Sequence, residues 1–134
     1  MTLLLLDTTF LIDRERGAAG DAEVEIIGDD DDVAVAAVSI AELRVGVLLA
    51  DDRNRQARAA FVDDVVSEIP VLPYDLTIAE AHAELLATVR VQGRPRGAHD
   101  LIIAATARAT NRTVVTADPS AFADLPGVTI RSHR

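Results

Sequence analysis

Four carboxylates in this 134-residue chain occupy positions from which an acid can do chemistry. Asp7 follows the apolar run Leu3 to Leu6, and Glu42 follows Val38-Ser39-Ile40-Ala41. Asp100 is third in the Ala-rich stretch that begins at Ala98, and Asp118 follows Thr113-Val114-Val115-Thr116-Ala117. Singly, each has an ordinary structural role. Asp7 can N-cap the next helix. Ser39-Ile40-Ala41-Glu42 matches a capping box, with Glu42 reaching back to the Ser39 N–H. Asp100 suits the positive end of a helix, and Asp118 before Pro119 suits an N-cap with Pro at the first helical position. Together they point elsewhere. Acids gathered in a partly dry cleft repel one another, and helix N-termini offset only part of that. A divalent cation is the natural neutraliser, and an all-oxygen set with no Cys and no His cluster favours Mg²⁺ or Mn²⁺.

The elements that must position these acids alternate between strand and helix, as in a mainly parallel α/β sheet. Leu3 to Leu6, Val33 to Val38, Ile69 to Leu72, Thr113 to Val115 and Val128 to Ile130 read as strands. The first is apolar throughout, as expected of a strand covered on both faces. Helical patterns run over Thr8 to Arg14, Asp21 to Ile27, Ser39 to Leu49, Arg53 to Ser67, Asp75 to Val91 and Ala98 to Ala109. Gln92 to Gly97 is a Gly/Pro loop. The acid run Asp29 to Asp32 reads as a solvated turn before a strand, ahead of a weak metal site. In open parallel sheets the ligand crevice lies beyond the carboxyl ends of the strands. Asp7, Glu42 and Asp118 fall there directly, and Asp100 joins them if its helix points its N-terminus at that edge.

Composition narrows the chemistry. The chain has no Cys, which excludes disulfides and thiolate metal sites. All thirteen basic residues are Arg. The missing Lys counts against P-loop, Schiff-base, phospho-receiver and haloacid-dehalogenase-type enzymes. Thr9, where a second Asp would stand two residues after Asp7, counts further against a phosphatase of the last kind. A net charge of −9 repels nucleic acid at long range, so a nuclease of this composition needs a metal, a local Arg patch, or both. The length suits one domain spanning 1–134, without repeat or linker. No run of apolar residues is long enough to span a bilayer, and Asp7 interrupts what would be a leader's apolar centre, so the expected location is the cytoplasm. His82, His99 and His133 are scattered, form no triad, and read as structural or surface residues.

Four segments resemble the PIN-domain family, and within it the VapC-type toxins. They are Leu5-Leu6-Asp7-Thr8-Thr9-Phe10-Leu11-Ile12-Asp13, Val38-Ser39-Ile40-Ala41-Glu42-Leu43-Arg44-Val45-Gly46, His99-Asp100-Leu101-Ile102-Ile103-Ala104-Ala105 and Val114-Val115-Thr116-Ala117-Asp118-Pro119-Ser120-Ala121-Phe122. Each is weak alone; their order and spacing across the whole chain carry the likeness. The resemblance implies a three-layer α/β/α sandwich and Mg²⁺-dependent hydrolysis of RNA phosphodiester bonds by the toxin of a toxin–antitoxin pair. It implies metal-binding acids at Asp7, Glu42, Asp100 and Asp118, with hydroxyl support from Thr116 and from Thr8 or Ser39. Asp7, Asp100 and Asp118 are the main expected ligands. Glu42 binds a second ion, contacts a metal water, or accepts a proton. It also implies an antitoxin whose tail wraps the toxin, and a homodimer. RNA grip then falls to Arg: Arg90, Arg94 and Arg96 around the loop before Asp100, then Arg44, with Arg14 and Arg16 behind them. Aromatic content of 3% argues against a broad stacking platform. The alternatives are a non-catalytic PIN-like interaction protein and another Mg²⁺-dependent phosphoryl hydrolase. The complete set of four acids disfavours the first, and the missing Lys the second.

Overall fold

The computed structural model describes residues 1–17 and 27–132. The expected helix over Asp21 to Ile27, save Ile27 itself, and His133 lie outside the described residues. Five strands form one sheet: β1 (Leu3–Leu6), β2 (Asp32–Ala36), β3 (Val71–Leu72), β4 (Thr113–Thr116) and β5 (Ile130–Ser132). Their order is β3-β2-β1-β4-β5 and every pairing is parallel. The helices among the described residues are α1 (Thr8–Glu15), α2 (Ala37–Leu49), α3 (Asp52–Glu68), α4 (Leu76–Gln92) and α5 (Ala98–Ala109), followed by a 3₁₀ turn at Pro119–Ala121.

The pleat of β1 sorts its leucines between two cores. Leu4 and Leu6 pack with Phe10, Leu11, Leu43 and Val62, which brings α1, α2 and α3 onto one face. Leu5 packs with Leu85, Leu101, Ile103 and Phe122, which brings α4 and α5 onto the other. This is the expected three-layer α/β/α sandwich. Leu4 and Leu5 are wholly buried, which explains why β1 shows no polar alternation.

Three element boundaries differ from the sequence reading, each for a local reason. Helix α2 begins at Ala37, with Ala36 as an N-cap that makes no side-chain bond, so Ser39 lies inside the helix. Ile69 closes α3 by donating to Val65 O, which leaves only Val71–Leu72 for β3. Gly127, at φ +74°, continues a turn that Val128 closes on Leu125 O, so β5 starts at Ile130.

The chain order reverses at β1, between β4 on one side and β2 on the other, which makes the carboxyl ends of β1 and β4 the switch point of the sheet. The opposite edge is closed by charge. The Arg112 guanidinium donates to Leu4 O and Asp32 O and pairs with Asp32 Oδ1 at 2.7 Å. Asp31 accepts the Thr2 and Gly28 amides, which hold its carboxyl below the ordinary range. The acid run is thus a structural turn remote from the switch point. Among the described residues, no helix is long and apolar enough to cross a membrane.

Candidate functional site

Asp7 is the fixed centre of the switch point. It is the N-cap of α1 and is 2% exposed. Its amide donates to Val115 O at 2.9 Å, extending the β1–β4 ladder by one step. Oδ1 accepts the Thr8 amide at 2.8 Å. Oδ2 accepts two hydroxyls, Thr9 Oγ1 and Thr116 Oγ1, each at 2.8 Å. Those hydroxyls are themselves oriented: the Ala117 amide donates to Thr9 Oγ1 and the Asp118 amide to Thr116 Oγ1. A hydroxyl has one hydrogen, so both hydrogens go to Asp7, and the 3.2 Å approach of Thr9 Oγ1 to Thr116 Oγ1 is a contact without a hydrogen between them. The N-cap role and the site role of Asp7 therefore coexist.

Glu42 lies one turn deeper in α2 than a capping box requires and makes no cap. Thr8 Oγ1 stands 2.8 Å from Glu42 Oε1 and 2.9 Å from Ser39 Oγ. Thr8 Oγ1 is the donor toward both, so its one hydrogen is shared between Glu42 Oε1 and the wholly buried Ser39 Oγ. Thr8 thus supports this acid directly, and Ser39 touches it only through Thr8. The other oxygen, Glu42 Oε2, faces His99 Nδ1 at 3.6 Å.

Asp100 is in the first turn of α5, whose N-terminus points at the switch point. It is half-buried, and no described residue donates a hydrogen bond to its carboxylate. Gly97 makes room for it: a Cβ there would meet Asp100 Oδ2 at 2.9 Å. Asp118 is exposed at the start of the 3₁₀ turn and accepts Ser120 Oγ at 2.6 Å, without capping the turn by its side chain.

The electrostatics join the four acids into one unit. Burial pushes the Asp7 carboxyl up, its three hydrogen bonds only partly oppose this, and the Glu42 charge adds to the rise. Asp100 is also raised, first by burial and then by the charges of Asp7, Glu42 and Asp118, while His99 lowers it. Asp7 thus feels the charge of Glu42, and Asp100 feels all three of the other acids. Among the described residues, no group of three or more His, Asp or Glu side chains is placed to hold a metal ion between them. The donor set is that of a hard cation: carboxylates backed by hydroxyls, with no thiolate and one peripheral imidazole.

The arginines divide by what they hold. Arg96 Nη1 donates to Ser120 O and Ala121 O and Nη2 to Ala123 O, which clamps the 3₁₀ turn behind Asp118. Arg44 pairs with Asp63 at 2.7 Å. Arg94 stands 3.9 Å from Asp124 with 69% of its side chain exposed. Arg90 is exposed in the last turn of α4. Thr9 is the site residue that sequence reasoning missed, noted there only as the absence of a second acid.

The chain matches the PIN domain model over residues 4–128. It is 35% identical to Ribonuclease VapC5 of Mycobacterium tuberculosis over 123 residues, 92% of this chain and 87% of that one. It superposes on the structure of VapBC-5, a member of the VapBC family of toxin–antitoxin systems from the same organism, with a TM-score of 0.79 at 32% identity, over 98% of each chain. The DNA-bound VapBC structure from Salmonella typhimurium shares the fold with a TM-score of 0.88 at 24% identity, over 100% of each chain. With its acids assembled at the switch point of a parallel sheet, the chain belongs to the PIN-domain family, among its VapC-type members.

Proposed function

We propose that the chain is a divalent-metal-dependent endoribonuclease and the toxin of a toxin–antitoxin pair. One observation carries the reading: a buried carboxylate, Asp7, held by three donors at the switch point and raised in pKa by burial and by Glu42, beside an Asp100 raised by burial and then by three acids. Structural capping accounts for one acid at that place and leaves the convergence of four unexplained. The ribonuclease name of the Mycobacterium tuberculosis relative supports the substrate class.

Asp7, Asp100 and Asp118 would hold Mg²⁺ or Mn²⁺, with Glu42 binding a second ion, contacting its water or accepting a proton. When bound, the cation supplies charge neutralisation at the phosphate and acidifies water. The chain's own residues supply the rest. Thr9 and Thr116 fix the Asp7 carboxylate so that it loses no rotamer freedom on binding. Thr8, packed on Ser39, holds one oxygen of Glu42 and leaves the other facing the cleft. Arg94 and Arg90 would meet phosphates, and Arg44 would do so by leaving Asp63. Arg96 acts on the same edge indirectly, through the carbonyls behind Asp118.

The acidic cleft suits a basic segment of an antitoxin, and the VapBC neighbours support such a partner; a homodimer is the proposed state of the chain itself. The test is expression in a bacterial host without an antitoxin, with mapping of new RNA 5′ ends, beside the purified protein on total RNA with Mg²⁺ or with a chelator. Growth arrest with discrete cuts that chelator abolishes is expected. Intact RNA in both settings overturns the reading.

A further inference from the structure

The acidic cleft has an apolar neighbour. A cavity of about 360 Å³ is lined by Glu42, Gly97, Ala98, His99 and Asp100. A second, of about 300 Å³, is lined by Ala41, Glu42, Val45 and His99. Glu42 and His99 line both, so His99 stands between the acids and an apolar recess. Its side chain is 56% exposed, Val45 is 52% exposed, and Ala41 is exposed beside them. The contact of Nδ1 with Glu42 Oε2 turns one edge of the ring toward the acid.

Rings are scarce in this protein, and among the described residues the others are committed. Phe10 and Phe122 are buried. Phe61 packs on the core below α3. Tyr74 is tied to His82 by a 2.9 Å hydrogen bond and an edge-to-face contact. His99 is left as the ring that borders the acids.

We infer that the recess beside His99 is a nucleobase subsite, in which one base flanking the scissile phosphate stacks on the His99 imidazole and rests on Val45 and Ala41. The inference rests on the ribonuclease reading above. A nucleotide carries its base and its phosphate on one unit, so a phosphate held beside Asp100 delivers a base to one side of it. The net charge of −9 gives RNA no long-range pull, so affinity must come from short-range contacts, and stacking is among the strongest of these for single strands. The recess shares Glu42 and His99 with the acidic cleft and is lined by one flat ring and small apolar groups, which suits a planar base better than a bulky branched side chain.

The experiment is a double-perturbation cycle on the full-length protein. A single-stranded RNA oligonucleotide spanning a mapped cut is compared with versions carrying one abasic nucleotide on either side of the cut, using wild type, His99→Ala and His99→Phe. Wild type is expected to lose roughly tenfold in kcat/KM, mostly through KM, at one abasic position. His99→Ala loses a similar factor on intact RNA and shows no further loss with that abasic RNA; His99→Phe stays near wild type. As a direct readout, 2-aminopurine at the same position is quenched on binding wild type and His99→Phe and not on binding His99→Ala. The chain has no Trp to obscure that signal. Independent, multiplicative losses from the abasic site and from His99→Ala overturn the subsite. So does a His99→Phe protein as impaired as His99→Ala, which would assign the imidazole a polar role. Retained cleavage in His99→Ala, with weakened binding of a protein partner only, overturns it in favour of that occupant. Wild type that cuts no RNA removes the ribonuclease reading itself, a failure distinct from each of these.

Discussion

Thr116 Oγ1 stands 2.8 Å from Asp7 Oδ2 and accepts the Asp118 amide at 2.9 Å, so one hydroxyl at the end of β4 links the acid of β1 to the acid beyond β4. The group is wholly buried, so water cannot take its place. Thr116→Val keeps the shape and removes the donor. It strips Asp7 of one of three hydrogen bonds and orphans the Asp118 amide. The expected cost is about 1–3 kcal/mol of folding stability, measured by urea denaturation. RNA cleavage is expected to fall with it, and Thr116→Ser to restore both. A Val variant that matches wild type in stability and cleavage would show that Asp7 does not need this tie.

Asp100 carries the clearest electrostatic prediction. Its carboxyl is raised in the folded protein above its ordinary value of 3.8, by burial and then by Asp7, Glu42 and Asp118. A raised carboxyl binds more protons folded than unfolded, so its contribution to stability is present below 3.8 and is lost as pH rises through the folded value. At neutral pH in chelator, Asp100→Asn is therefore expected to melt higher than wild type, and the advantage to vanish below the ordinary carboxyl range. Magnesium should reverse the order, because it stabilises the protein that keeps the ligand. Asp100→Asn should cut no RNA. A variant that melts below wild type at neutral pH without metal would refute the crowding of charge.

The sandwich was readable from the chain because a strand buried on both faces has a distinctive composition, and Leu3 to Leu6 has it. The start of α2 was not readable. Ala36-Ala37-Val38 suits strand and helix alike, and the deciding contact is the burial of Ser39 against Thr8, 31 residues away. The gathering of the acids at one sheet edge was legible because Asp7 and Asp118 follow strands, and Glu42 and Asp100 lie near the starts of helices. The hydroxyls around them were less so: the partners of Thr9 include Thr116 and the Ala117 amide, 107 and 108 residues on, and no local pattern encodes that pairing. Arg96 shows the same limit. Its place in the loop before Asp100 suggests a phosphate contact, and its carbonyl partners lie 24–27 residues downstream.

Arg94 and Arg96 should therefore separate under mutation. Arg96→Ala removes donors from three carbonyls behind Asp118 and is expected to cost about 1 kcal/mol, with reduced cleavage from a loosened Asp118. Arg94→Ala breaks only a long, exposed pair with Asp124 and should leave the melting temperature unchanged. Its effect should appear in RNA binding, where the slope of log K against log salt falls by about 0.7 for one lost phosphate contact on a single strand. Titrations of both variants at several salt concentrations, beside their melting curves, check this. Equal stability loss in the two, or an unchanged slope in Arg94→Ala, would contradict the division.

Two glycines frame the approach to Asp100 and should behave differently. Gly93 ends α4 at φ +67° with open space where a Cβ would go. Gly93→Ala is expected to cost about 1 kcal/mol through backbone strain and to leave the cleavage rate of the folded protein intact. Gly97 has φ −58°, which any residue adopts, but its Cβ would meet Asp100 Oδ2 at 2.9 Å. Gly97→Ala should therefore fold with little change in stability and displace the Asp100 carboxylate, weakening magnesium binding and cleavage together. Calorimetric titration with magnesium and initial cleavage rates measure the two effects. If Gly97→Ala binds magnesium and cuts RNA as wild type does, the Asp100 carboxylate is not working from the place it holds against Gly97.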